Sequence, residues 1–206
     1  MHLIDMKYIF VAGAPGSKWS SVCKNIYNSP NIDRSDFDPK RVYSHSANGK
    51  EQLMHMGAYY DPKMDYGYFF HHIDRYTKEE CEEEFNRPFS GGGSRIIRSH
   101  QFCHHIDFLK KNWSDCPVVL VHREDDACLG WWVRCGHFNI KYPNYSYYKN
   151  LEEMARHIDT ENADLLKHWK PENEVRTNKE LCEKLGIEAP EDYQNYADND
   201  IKVCVI

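Results

Sequence analysis

The chain has 206 residues and a mass of 24.4 kDa, enough for one domain with a modest insertion. Apolar residues make up 41%, aromatics 14% and charged residues 28%, with a net charge of −6 and a pI near 6.0, which excludes a disordered chain and a basic nucleic-acid binder. No apolar run reaches the roughly 18–20 residues that span a bilayer, Met1 to Lys7 carry no signal-peptide pattern, and the 8 cysteines stand singly with no CxxC pair, so free thiols in a cytoplasmic setting are expected.

Lys7 to Ala12 is a short β-branched and aromatic run, which Gly13-Ala14-Pro15-Gly16-Ser17 ends. Trp19 to Asn28 follows with apolar residues at 19, 22, 23, 26 and 27, the spacing of a helix. Strand, glycine turn and helix form half of a βαβ unit. The stretch from about 30 to 94 reads as an insertion rather than a second domain. It is polar and aromatic, with Tyr59-Tyr60, Tyr66 to Phe70 and His71-His72, and its acidic run Lys78 to Glu84 suits a solvated helix face. After Ser90 to Ser94, the segment Arg95 to Ser99 predicts a second strand, His104 to Trp113 a crossover helix, Pro117 to His122 a strand buried on both faces, and Asp125 to Phe138 another helix. Asn150 to Lys170 is helical in pattern, and Asn178 is the expected N-cap of a last helix that stops at Gly186. This order predicts a single α/β domain over 1–206, with a central, mostly parallel sheet flanked by helices and joined by right-handed crossovers.

The turn from Gly13 through Ala14, Pro15, Gly16, Ser17, Lys18, Trp19, Ser20 to Ser21 sits between strand and helix. Turn and first-helical N–H groups lack intrahelical partners and the helix dipole adds positive charge, so a phosphate is welcome there. Lys18 brings a full charge, and Ser17, Ser20 and Ser21 bring hydroxyls. The nucleotide-triphosphate loop pattern needs four residues between its first Gly and its Gly-Lys pair. Here Gly13 to Lys18 is one residue short and Ser17 stands in the second Gly's place. Arg98-Ser99-His100-Gln101-Phe102 closes the second predicted strand and His122-Arg123-Glu124 the third. Strand C-termini of a parallel sheet adjoin the ligand crevice, so all three motifs are expected on one rim.

Taken in order, these segments resemble the sulfotransferase family. The family's Pro-Lys-Ser-Gly-Thr-Thr-Trp start looks like Pro15 to Ser21, and its Lys-Thr-His-Leu-Pro segment looks like Arg98 to Phe102. Its apolar strand ending in Arg looks like Val118 to Arg123, and its Leu-Gly-Ile helix end is similar to Leu185-Gly186-Ile187. The match covers about 7–28, 95–138 and 178–187. It implies a P-loop NTPase-like, sulfotransferase-like fold and transfer of a sulfuryl group from 3′-phosphoadenosine 5′-phosphosulfate to a small-molecule or glycan acceptor, with adenosine 3′,5′-bisphosphate as product and no metal, nucleic acid or membrane involved. The chain departs from the pattern at Gly16, where the family has Lys, at Trp19, two places before the family's Trp, and at Gly130-Trp131-Trp132, where a Ser binds the 3′-phosphate. It also lacks the Arg-Lys-Gly loop near the end.

Such chemistry positions groups in line and stabilises charge on the leaving oxygen. Gly13 to Ser21, Arg98 and Arg123 are the expected donor contacts, with Lys18 facing the bridging oxygen. His100 is the expected base, because an imidazole titrates near neutral pH. Lys18 and His100 are therefore expected to look into one hollow, beneath the aromatic insertion. Three other readings compete. A P-loop kinase would need a hydroxyl immediately after Lys18, where Trp19 stands. A metal site could draw on His71-His72, His100 and Cys103-His104-His105, but no acidic partner in the sequence completes it. The third is a non-catalytic relative that keeps only the anion loop.

Overall fold

The computed structural model describes residues 7–37, 42–44, 52–54, 56–59, 70–134, 150–190 and 195–206. Strand β1 is Tyr8–Ala12, buried throughout, and helix α1 is Trp19–Tyr27. The expected apolar positions of α1, Trp19, Val22, Cys23, Ile26 and Tyr27, are all turned inward. Within the predicted insertion, β2 (Val42–Ser44) and β3 (Gln52–Met54) pair antiparallel and β4 (Ala58–Tyr59) joins the main sheet. Helix α2 (Lys78–Asn86) opens on a capping box: the Thr77 hydroxyl accepts from the Glu80 N–H and the Glu80 carboxylate from the Thr77 N–H. Glu79, Glu80 and Glu83 face solvent while Cys81 and Phe85 are buried, so the acidic run is a solvated face with an apolar seam behind it. The aromatic run Tyr60 to Phe69 lies outside the described residues.

Strand β5 (Arg95–Arg98) leads into a 3-10 turn, His100–His104, and only then into helix α3 (Ile106–Asn112), so the predicted crossover helix is shorter than expected and enters through a tighter turn. Ser99 causes this locally, because its side chain accepts from the Gln101 N–H and caps the 3-10 turn. Strand β6 (Val118–His122) and helix α4 (Asp125–Arg134) follow; residues 135–149, including the end of the predicted helix, are outside the described residues. Helix α5 (Leu151–Leu166) is capped by Asn150, whose side chain accepts from the Glu153 N–H. Strand β7 (Glu174–Val175) precedes helix α6 (Asn178–Leu185). Its N-cap is Thr177, one residue before the expected Asn178: Thr177 is extended (φ −136°, ψ 158°) and its hydroxyl accepts from the Glu180 N–H. Gly186 ends α6 at φ 66°, as expected. Another 3-10 turn, Tyr196–Asn199, leads to strand β8 (Lys202–Val205).

The main sheet runs β4-β5-β1-β6-β8-β7. The β4, β5, β1 and β6 strands are parallel, and β8 pairs antiparallel with both β6 and β7. The sheet is thus mostly parallel, as expected, with an antiparallel edge that the chain's last residues supply. Pairing of Val11 with Arg98 and of Ala12 with Leu120 aligns the C-terminal ends of β5, β1 and β6 on one edge. Strand alternation then divides the core. Tyr8, Phe10 and Ala12 pack with α2, α3 and Leu165 on one face; Ile9 and Val11 pack with α1 and α6 on the other. The seven described cysteines are free and buried, which matches the expected thiols.

Candidate functional site at the strand ends

Between β1 and α1 the chain has little slack. Gly13, Ala14, Pro15 and Ser17 are buried, and the Ser17 N–H donates to the Ala14 carbonyl at 3.0 Å. Gly16 holds φ 83°, and a Cβ there would collide with the backbone carbonyl of Cys128 in α4. Ala14 packs with Cys128, Trp132, Met154 and Ile158, so α4 and α5 cover the loop's other side. Lys18, the N-cap of α1, is also left-handed at φ 63° and gives no side-chain cap, and the first turn of α1 contains no acid. The α2, α5 and α6 helices all close their N-termini with a side-chain oxygen, whereas α1 begins with a cation.

Two arginines border this loop in different ways. Arg98 is fully buried. Its guanidinium lies 5.2 Å from the Trp19 ring centre and donates to Ser20 Oγ at 3.5 Å, so it ties β5 to the first turn of α1. Burial pushes the neighbouring Cys23 thiol up to about 11, against the pull of Arg98. Arg123 sits just past β6 and donates to the carbonyls of Ala127 at 2.9 Å and Gly16 at 3.5 Å. Its second terminal nitrogen is 3.9 Å from the exposed Asp200 carboxylate. The Arg123 backbone is pinned in turn, its carbonyl accepting from Asn162 at 2.9 Å and from the Cys128 thiol at 3.3 Å. Two buried donors at this spot, Ser17 Oγ and Arg123 Nε, have no hydrogen-bond partner among the described residues.

His100 opens the 3-10 turn after β5 and turns toward α5. Its Nδ1 is 2.7 Å from Glu161 Oε1, and His157 Nε2 is 2.9 Å from the same oxygen. His157 and Glu161 share one face of α5 through their i, i+4 spacing. Gln101 brings its amide nitrogen to 3.4 Å from His100 Nδ1 and 3.5 Å from His157 Nε2. Glu161 is completely buried. Burial alone would raise its pKa, but charge and hydrogen bonds from His100 and His157 overcome this and hold the carboxyl down at about 2. Further along, His104 pairs with Asp164 at 2.5 Å.

The expected residues therefore form two groups on one rim. Gly13 to Ser17, Arg123 and Arg98 surround the loop. His100 belongs instead with Gln101, His157 and Glu161. The Lys18 ammonium donates to Asn199 at 3.2 Å and lies 4.8 Å from the Trp131 ring centre, whereas His100 bonds to α5, so the two take different partners rather than converging on each other. Trp19 is buried in the core and Ser21 is exposed on α1. The sequence offered no acidic partner for His100; the fold supplies one in Glu161, 61 positions away. The His157–Glu161 spacing was the available signal, but nothing in the sequence set it beside His100. No family model, no curated protein and no solved structure matches this chain.

Proposed function

We propose that the chain is a sulfotransferase-like enzyme that moves a sulfuryl group from 3′-phosphoadenosine 5′-phosphosulfate to a hydroxyl or amine acceptor. The observation that carries this reading is the pair of buried, unsatisfied donors among the described residues, Ser17 Oγ within the βα loop and Arg123 Nε on the side chain that donates to the loop's Gly16 carbonyl. Buried donors without acceptors are costly, at about 1–3 kcal/mol each, and an oxyanion supplies acceptors for both. The uncapped, acid-free start of α1 and the Lys18 charge favour the same ligand. The left-handed Lys18 backbone also falls where the Pro-Lys-Ser-Gly-Thr-Thr-Trp pattern has its glycine, which supports that alignment of the loop.

In this reading the donor's phosphate sits on the loop and Arg123, and the acceptor oxygen attacks sulfur as the sulfur–oxygen bond to the phosphate breaks. The leaving phosphate takes the electron pair. The acceptor's proton passes to Nε2 of His100, whose Nδ1 Glu161 holds. A kinase reading gains nothing, since the place of a magnesium-binding hydroxyl after Lys18 is the buried ring of Trp19.

The test follows sulfur-labelled donor with the full chain and a panel of hydroxyl acceptors. The expected result is transfer or slow hydrolysis, reduced at least a hundredfold in H100A with ligand binding intact. Binding without turnover in the wild type would favour the non-catalytic relative.

A further inference from the structure

We propose that His100 Nδ1, His157 Nε2, a carboxylate oxygen of Glu161 and the amide oxygen of Gln101 form the ligand set of a zinc-class divalent cation. The ligand atoms of His100, His157 and Glu161 all lie within 4.8 Å of one another. The pairwise separations are 2.7 Å from His100 Nδ1 and 2.9 Å from His157 Nε2 to Glu161 Oε1, and 3.4 and 3.5 Å from the same two nitrogens to the Gln101 amide nitrogen. Tetrahedral zinc with bonds near 2.0–2.1 Å places its ligands about 3.3 Å apart, so the four groups need only small adjustments. Two imidazoles with oxygen donors suit zinc, copper or nickel rather than magnesium or calcium.

Proton sharing alone leaves this cluster mismatched. An ionised carboxylate only accepts, so both imidazoles donate N–H to Glu161 Oε1, and the Gln101 NH₂ group then faces two further donors. Gln101 Oε1 and Glu161 Oε2 are both fully buried and have no partner among the described residues. A half turn of the amide exchanges its two ends and brings Gln101 Oε1 among the nitrogens. A cation uses that oxygen, both imidazoles and the carboxylate at once, and it offsets the buried negative charge. His104 adds a reserve: Asp164 holds its Nδ1 at 2.5 Å, and its Nε2 stands 4.0 Å from Glu161 Oε1, the carboxylate–histidine arrangement that orients metal ligands.

The assignment is independent of what the loop binds, and it has a consequence for His100. With metal on Nδ1, the neutral ring carries its proton on Nε2 and is no longer a base, so zinc opposes any reaction that uses His100 for proton transfer. The experiment titrates zinc into the chelator-stripped full chain in competition with a chromophoric chelator. The expected result is one zinc per chain, weakened in both H157A and E161Q by more than the roughly tenfold to hundredfold that losing an outer-shell partner costs, and a tetrahedral cobalt spectrum in the wild type. His157 lies at the outer side of the cluster, so H157A keeps the test decisive where E161Q fails to fold. Absence of stoichiometric binding to the wild type would overturn the proposal. So would unchanged affinity in H157A, which would place the metal elsewhere in the chain. A thermal shift by adenosine 3′,5′-bisphosphate that persists in H157A separates failure here from failure of the loop reading.

Discussion

Gly16 and Gly130 make opposite demands on a methyl group. At Gly16 the backbone is left-handed and a Cβ would run into the Cys128 carbonyl, so G16A should cost about 2–4 kcal/mol in urea unfolding and spoil the loop. Gly130 lies inside α4 with nothing within 4 Å of an added Cβ, and G130A should stabilise by up to about 1 kcal/mol. Ser17 separates fold from function more sharply. Its buried hydroxyl has no partner among the described residues, so S17A should leave unfolding free energy unchanged or slightly raised while weakening an oxyanion ligand about tenfold. Loss of stability in S17A with unchanged ligand affinity would mark the hydroxyl as structural. At this scale the sequence was informative about residue types but silent about direction. Lys18 was legible as a loop cation; its turn toward Asn199 and Trp131 depends on elements more than a hundred residues away.

Helix α5 does more for the site than its sequence pattern suggested. The 3.6-residue spacing predicted it well, and Met154, Ile158 and Leu165 are buried as that pattern requires. The same inward stripe carries Glu161 and Asn162, polar residues that periodicity alone assigns no partner. Asn162 donates to the Arg123 carbonyl and, at 2.6 Å, to Asp125, linking α5 to the start of α4. N162A should therefore destabilise by about 1–3 kcal/mol and weaken ligand binding through Arg123, measured by unfolding and by titration. Retained affinity at reduced stability would show that α5 does not position Arg123. Strands β7 and β8 were the elements least legible in the sequence. Each is short, and β8 is defined by its pairing with β6 rather than by any local signal.

Across the whole molecule, buried thiols set the response to alkali. Burial raises Cys23 and Cys182 to about 11 and Cys128 to about 12. Below about pH 7.5 these thiols are neutral in both folded and unfolded chains and contribute no pH dependence. Above 9 the unfolded chain ionises them while the fold keeps them protonated, so stability should fall by up to about 1.4 kcal/mol per pH unit for each thiol. Urea titrations from pH 8 to 10.5 check this, and a flat profile would contradict it. The parallel centre of the sheet was readable because β1 and β6 are near-continuous apolar runs and β5 sets Ile96-Ile97 between two arginines, after a glycine-rich stretch. That same geometry brings the loop, Arg98, His100 and Arg123 to one edge.

Calorimetric titration of the full chain with adenosine 3′,5′-bisphosphate tests the central claim most directly. A single site, weakened about tenfold in S17A but retained in H100A, is the predicted result. No heat and no thermal shift at millimolar nucleotide, with the fold intact, would contradict it.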